Sequence, residues 1–159
     1  MMKKINQFLE HIYSRFIIYI PPIALAILGF QLLTIFWLDP MSTQLNDRII
    51  TALKMSSTLA ALSFYAGYMT TKEHKKPLFY LNGERFFHVV AILFSINILQ
   101  KLLIFQVTII TNSVVLLITQ MMVNIIGSIF IIYGVALMIT GLYSLLNVLH
   151  LEVKQIIHD

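Results

Sequence analysis

The chain has 159 residues, of which 58% are hydrophobic and only 11% are charged. A soluble domain carries charge on about a quarter of its residues, so this composition excludes water as the main solvent of the chain. The net charge of +4 comes from basic residues that flank apolar runs, which indicates membrane topology and argues against nucleic acid as a partner.

The first segment, residues 1–20, has the periodicity of an amphipathic helix. Apolar residues recur at helical spacing from Ile5 to Phe16, with polar and basic residues between them. Such a helix beside a membrane span lies in the headgroup layer with its lysines toward anionic lipid; the alternative is a lead-in turn of the first span. Because proline interrupts helix interiors, we expect Pro21 and Pro22 to separate this interfacial helix from the first span.

Four apolar runs follow, and their lengths match a bilayer core of roughly 30 Å. The turn at 111–113 is so short that it allows only an antiparallel return. The fourth run exceeds what a bilayer requires, so we expect it to tilt or protrude before a polar tail over 147–159. The predicted spans are 22–38, 49–69, 86–110 and 114–146.

Local signals predict where two of these spans begin. Asn46 and Asp47 are candidate caps for the second span. Before the third span, Asn82 and Gly83 predict a tight turn within a basic and aromatic loop over 71–85. A loop of this composition suits anionic headgroups, and the alternative is a docking site for a cytoplasmic protein.

Basic residues at the span ends predict the orientation. Arg48 alone lies on one side, and the other side, which holds all the remaining flanking basic residues, is therefore expected to be cytoplasmic. Four spans return the chain to its starting side, so the sequence predicts an all-α, four-helix integral membrane protein of the plasma or bacterial inner membrane with both termini in the cytoplasm. The cytoplasmic basic residues are Lys3, Lys4, Arg15, Lys72, Lys75, Lys76, Arg85 and Lys154.

Small side chains form two stripes that predict close helix packing. In lipid, small residues let helix backbones approach each other, and this packing is a main source of helix association. The alternative is a pore or ligand cavity lined by the same faces. The stripes are Ala52, Ser56, Ala60, Ser63 and Gly67 on the second span, and Gly127, Gly134 and Gly141 on the fourth.

Two lysines are the only formal charges well inside the spans. A charge at mid-membrane costs at least ~2.5 kcal/mol on insertion scales, which makes each a functional candidate. Lys54 can alternatively extend its ammonium to the headgroups, whereas Lys101 is deeper and has amides beside it. The predicted polar cavity, which would prefer anions, comprises Lys54, Asn97, Gln100, Lys101, Gln120 and Asn124.

The predicted spans lack the residue combinations that catalysis or cofactor binding commonly requires. No Asp or Glu lies inside a span, although proton-coupled exporters commonly load their proton on such a carboxylate. The chain has no cysteine, and its histidines lie at or beyond the cytoplasmic span ends, which argues against thiolate metal sites and embedded haem. We find no paired carboxylates, activated nucleophile or glycine-rich phosphate loop. Neither enzymatic activity nor a cofactor is therefore expected.

The sequence favours a protein that acts by helix packing. We expect it to form a homo-oligomer or an accessory subunit of a membrane complex, using the small-residue stripes of spans two and four. The alternative is a small channel or transporter whose outward-facing polar cavity holds Lys54 and Lys101.

Overall fold

The protein is a bundle of four α-helices joined by short connections. The computed structural model describes the backbone of residues 2–40 and 42–158 and the side chains of residues 16, 18–40 and 42–149. No strand occurs in this described backbone, so the all-helical fold class is confirmed. The helices are α1 (Met2–Leu38), α2 (Thr43–Met69), α3 (Lys76–Ile109) and α4 (Ser113–His158).

All four helices are long and apolar enough to cross a membrane. Their outward faces carry large apolar side chains, including Phe30, Phe87, Phe94 and Phe105, each between 61% and 71% exposed. Soluble monomers rarely show apolar surface on this scale, whereas lipid tails are a suitable solvent for it. The fold is consistent with a multi-pass membrane protein. The candidate spans are Ile18–Leu38, Thr43–Met69, Lys76–Ile109 and Ser113–Leu149.

The helices pack in the order α1, α4, α3, α2, with each helix antiparallel to the next. Along the α1–α4 interface Tyr19 contacts Tyr143 and Phe36 contacts Gly127, so these two helices run in opposite directions. α1 and α2 scarcely touch, which leaves the ring of helices open between them. The α1–α2 and α3–α4 connections lie at one end of the bundle, here called the Asp39 end.

α1 runs without interruption through Pro21 and Pro22, so the predicted break between an interfacial helix and the first span is wrong. Proline has no N–H group, and the helix gives up a hydrogen bond at each of these positions. Membrane helices tolerate this loss, and burial of Pro22 in the bundle supports the helix here. The side chains of residues 5–15 lie outside the described residues, so the interfacial position of this segment stays a prediction.

α2 begins at Thr43, six residues before the predicted start at 49. Its N-cap is Ser42, whose Oγ accepts a 3.2 Å hydrogen bond from the Leu45 N–H, and not Asn46 or Asp47. Leu45 is fully buried in the core, and this burial supports the additional turn.

α3 begins at Lys76, ten residues before the predicted start at 86, with Pro77 in its first turn. Asn82 and Gly83 lie inside this helix and are buried, so the predicted tight turn is wrong. The added segment belongs to the core because Phe79 is only 2% exposed.

α4 is longer than the predicted span. Asn112 caps it, because its Oδ1 accepts hydrogen bonds from the Val114 and Val115 N–H groups at 3.0 and 3.3 Å. The helix continues to His158 through most of the predicted tail over 147–159.

Candidate functional site

Both predicted small-residue stripes lie inside the bundle and contact helices of the same chain. On α2, Ser56 and Ser63 are fully buried, Ala60 is 6% exposed, Gly67 is buried and Ala52 is half-buried. The Ser56 hydroxyl donates to the Ala52 carbonyl at 2.8 Å and lies 3.6 Å from the Met138 sulfur on α4. Packing within the chain therefore occupies this face.

The α4 glycines each receive an apolar side chain from a neighbouring helix. A Cβ at Gly127 would overlap the Phe36 ring of α1, and one at Gly141 would lie 3.0 Å from the Phe86 ring of α3. At Gly134 the nearest atom is Cγ2 of Ile92, 3.2 Å away. Gly127 therefore admits little beyond hydrogen, whereas a methyl group at Gly134 or Gly141 would require the neighbouring side chain to move by a few tenths of an ångström.

Two further glycines also lie against side chains of a neighbouring helix, although the sequence did not predict that they pack there. A Cβ at Gly29 would lie 2.5 Å from Val135, and one at Gly83 would lie 2.7 Å from the Phe64 ring. Neither belongs to a repeating stripe of small residues that would have indicated this contact.

The six residues of the predicted polar cavity differ widely in burial. Lys54 and Lys101 are exposed, and Gln100 is buried. The other three, Asn97, Gln120 and Asn124, are half-buried. None of the six lines the cavity that is described below.

The surroundings of the two lysines are different. Lys101 lies among exposed apolar side chains of α3, including Ile98, Leu102 and Phe105. It is about 12 Å from the helix end at Ile109, and its long stem can carry the ammonium part of this distance toward the headgroups.

Lys54 instead belongs to a polar stripe on the outward side of α2. Asp47, Thr51, Lys54 and Thr58 are spaced three or four residues apart, so they share one helix face, and all four are exposed. The Thr51 and Thr58 hydroxyls donate to the carbonyls of Asp47 and Lys54 at 2.8 and 2.9 Å. We call these four residues the α2 polar face.

A cavity of about 390 Å³ lies where α1 and α2 separate, and we call it the α1–α2 groove. Its floor is made by apolar residues of α3 and α4, none of them exposed. Its exposed lining residues all lie on α1 and α2. The floor consists of Val89, Ile92, Leu93, Ile96, Phe130, Ile131, Gly134, Val135 and Met138.

The polar lining of this groove is confined to the first turns of α2. Gln44, Asp47, Arg48 and Thr51 lie near the Asp39 end, whereas the deeper lining is apolar. Arg48 Nη1 donates a 2.9 Å hydrogen bond to Gln31 Oε1 and so links α2 to α1. The sequence did not predict this groove. The groove exists because α1 and α2 make few contacts with each other, and the sequence does not show which pair of helices remains apart.

No family model matches the chain, and no curated protein or solved structure matches it either. Function is therefore inferred from the residues of the chain itself.

Proposed function

We propose that the protein is a non-enzymatic membrane subunit that associates with other membrane helices through the α2 polar face. The observation that supports this proposal is the exposure of Asp47, Thr51, Lys54 and Thr58 on one side of a helix that is apolar enough to span a bilayer. Lys54 is two helical turns, about 10 Å, beyond Asp47, and so lies inside a bilayer core of roughly 30 Å. A protein partner that supplies an acceptor there removes the cost of leaving the ammonium in lipid.

The surface of association differs from the one that the sequence favoured. Most of the small-residue stripes is covered within the chain, since Phe36, Ile92 and Phe86 lie beside the three glycines, and among the stripe residues only Ala52 and Gly134 also line the α1–α2 groove. A partner therefore has to use an outward face. Among the exposed faces described above, that of α2 carries four polar side chains between Asp47 and Thr58, whereas that of α3 around Lys101 is apolar.

Charge favours a partner of different sequence over a symmetric dimer. A two-fold contact pairs the same patch on both copies, so it would bring Lys54 close to its own counterpart. Two ammonium groups in a membrane repel each other strongly because the local dielectric is low. A partner helix with a carboxylate, an amide or a hydroxyl opposite Lys54 has no such penalty, so we favour an accessory subunit of a larger complex.

The second candidate is a channel formed by a ring of identical copies. In a ring, the α2 polar faces would surround water, so the lysines would be hydrated and would favour anions. The same exposure of Lys54 supports this candidate, with the difference that the pore lies between copies and not within one bundle.

Purification from native membranes in a mild detergent tests the proposal. We expect Lys54→Met to release the partner. The amount of partner that co-purifies should fall about tenfold, which corresponds to a loss of roughly 1.4 kcal/mol of binding free energy. Lys101→Met is the matched control, because this second exposed lysine lies on an apolar face, and it should retain the partner.

Crosslinking distinguishes the possible partners. A photoreactive residue at position 58 should form an adduct with a different protein, and one at Phe105, on the exposed apolar face of α3, serves as the comparison. Adducts between identical chains, together with anion flux in liposomes, would support the ring of copies instead. Equal partner recovery from Lys54→Met and Lys101→Met would contradict a role for the α2 polar face.

A further inference from the structure

We propose that the α1–α2 groove binds one phospholipid, with an acyl chain in its apolar part and a zwitterionic headgroup at Asp47 and Arg48. The groove shares Asp47 and Thr51 with the α2 polar face, but Lys54 and Thr58 do not line it, so variants of Lys54 and variants that fill the groove test the two proposals separately. The shape of the groove and the position of its charges support this assignment.

The groove has the polarity profile of a lipid in one leaflet. Its polar residues lie in the first turns of α2 near the Asp39 end, where a headgroup is found if the helices span the membrane. From there the lining continues toward the middle of the bundle through Ala52 and Met55 on α2 and Leu25 on α1. An acyl chain that enters beside the headgroup would therefore follow apolar side chains along its whole length.

Burial shows that the groove is open to the side. The floor residues Val89 and Ile96 are at most 1% exposed, whereas Leu28 on one rim is 43% exposed and Met55 on the other is 44% exposed. Since α1 and α2 scarcely touch, a chain can enter laterally from the bilayer. In a membrane this opening faces lipid tails, which are abundant and fit an apolar lining.

The charges at the rim match a zwitterionic headgroup. Arg48 is half-buried, its guanidinium is oriented by a hydrogen bond to Gln31, and the planar donor set of this group suits a phosphate. Asp47 is the neighbouring rim residue, and its carboxylate suits an ammonium group. Phosphatidylethanolamine carries both groups in one headgroup, whereas a purely anionic lipid would leave Asp47 facing negative charge.

The length of the groove suits an acyl chain. The lining extends along α2 from Gln44 to Met55, about three turns of helix. A flexible acyl chain can lie along this length with its headgroup at the polar end.

A photoreactive lipid tests the site on the purified full-length chain. The probe is phosphatidylethanolamine with a diazirine on its acyl chain, and we expect adducts on the groove lining. Leu28→Trp and Met55→Trp should each reduce labelling at least tenfold by filling the groove. Ile27→Trp and Leu62→Trp are matched controls, because both positions are more than half exposed and neither lines the groove. These controls should label as the wild type does.

The headgroup is tested separately by competition. We expect Arg48→Gln to weaken phosphatidylethanolamine binding about tenfold, the effect of losing a charge-assisted hydrogen bond. Lys54→Gln, which removes a cation outside the groove, should leave binding unchanged even if it abolishes assembly. Unlabelled phosphatidylethanolamine should compete better than phosphatidylglycerol or glycerophosphoethanolamine.

Three results would overturn the inference. Equal labelling of the groove-filling variants and their folded controls would show that the lipid lies elsewhere. Equal competition by phosphatidylglycerol would remove the role of Asp47. A protein segment crosslinked to the floor would identify a partner chain as the occupant.

Discussion

The Phe36 ring of α1 occupies the space that a side chain at Gly127 of α4 would need. Phe36 is fully buried, and the next residue, Trp37, donates a 2.6 Å hydrogen bond from Nε1 to the Ser128 hydroxyl. Two consecutive residues of α1 thus contact two consecutive residues of α4. Because α1 has few contacts with α2, these pairs are central to holding α1 in the bundle.

Replacing Gly127 with alanine should destabilise the protein by about 1–3 kcal/mol, the cost typical of overpacking a core. Helix propensity alone predicts that this substitution stabilises the protein, because alanine is more favourable than glycine by roughly 1 kcal/mol in a helix interior. Thermal unfolding in detergent measures the change. Adding Phe36→Leu to Gly127→Ala should recover part of the loss, and strictly additive effects would contradict direct contact between the two positions.

Bulky residues in the α2 stripe should destabilise the bundle, whereas the same change one position away should not. Ala60 is 6% exposed and Ala61 is exposed, so Ala60→Leu should lower the melting temperature and Ala61→Leu should not. On α4 we expect Gly134→Leu to behave like Ala60→Leu. Similar melting temperatures for the two alanine variants would mean that this face of α2 does not pack inside the chain.

The contact between Trp37 and Ser128 can be followed by fluorescence, because Trp37 is the single tryptophan of the chain. Ser128→Ala removes the acceptor of the indole N–H and should cost about 0.5–1.5 kcal/mol while shifting the emission maximum. Ser95→Ala is the control, since its hydroxyl donates to the Ala91 carbonyl of its own helix. An unchanged emission maximum in Ser128→Ala would argue against the hydrogen bond.

Cysteine labelling should show the Asp39 end outside the cell and both termini in the cytoplasm, as the distribution of basic residues predicts. The chain has no native cysteine, so single cysteines at Ser42 and Ser113 should react with an impermeant maleimide in intact cells. His74→Cys is the cytoplasmic marker because His74 is exposed in the connection between α2 and α3. Asn82 is fully buried and unsuited to labelling. Reaction of the His74→Cys variant from outside would reverse the predicted orientation.

The number of helices and their apolar character could be predicted from the sequence because both depend on local composition. A run of apolar residues long enough for a bilayer is visible without knowledge of its neighbours. Helix ends were less predictable because tertiary contacts decide them. Asn82 and Gly83 have the composition of a turn, yet both are buried in α3, where Gly83 accommodates the Phe64 ring.

Which helix faces meet was decided only by the tertiary structure. The sequence identified the small-residue stripes, but it did not show that Phe36, Ile92 and Phe86 of the same chain would cover their glycines. It also did not distinguish Lys54 from Lys101, because the polar face around one and the apolar face around the other are visible only once exposure is known. The α1–α2 groove was equally hidden, since it exists because α1 packs on α4 and leaves α2 apart. Periodicity shows which residues share a face of a helix, whereas the partner of that face depends on contacts distant in sequence.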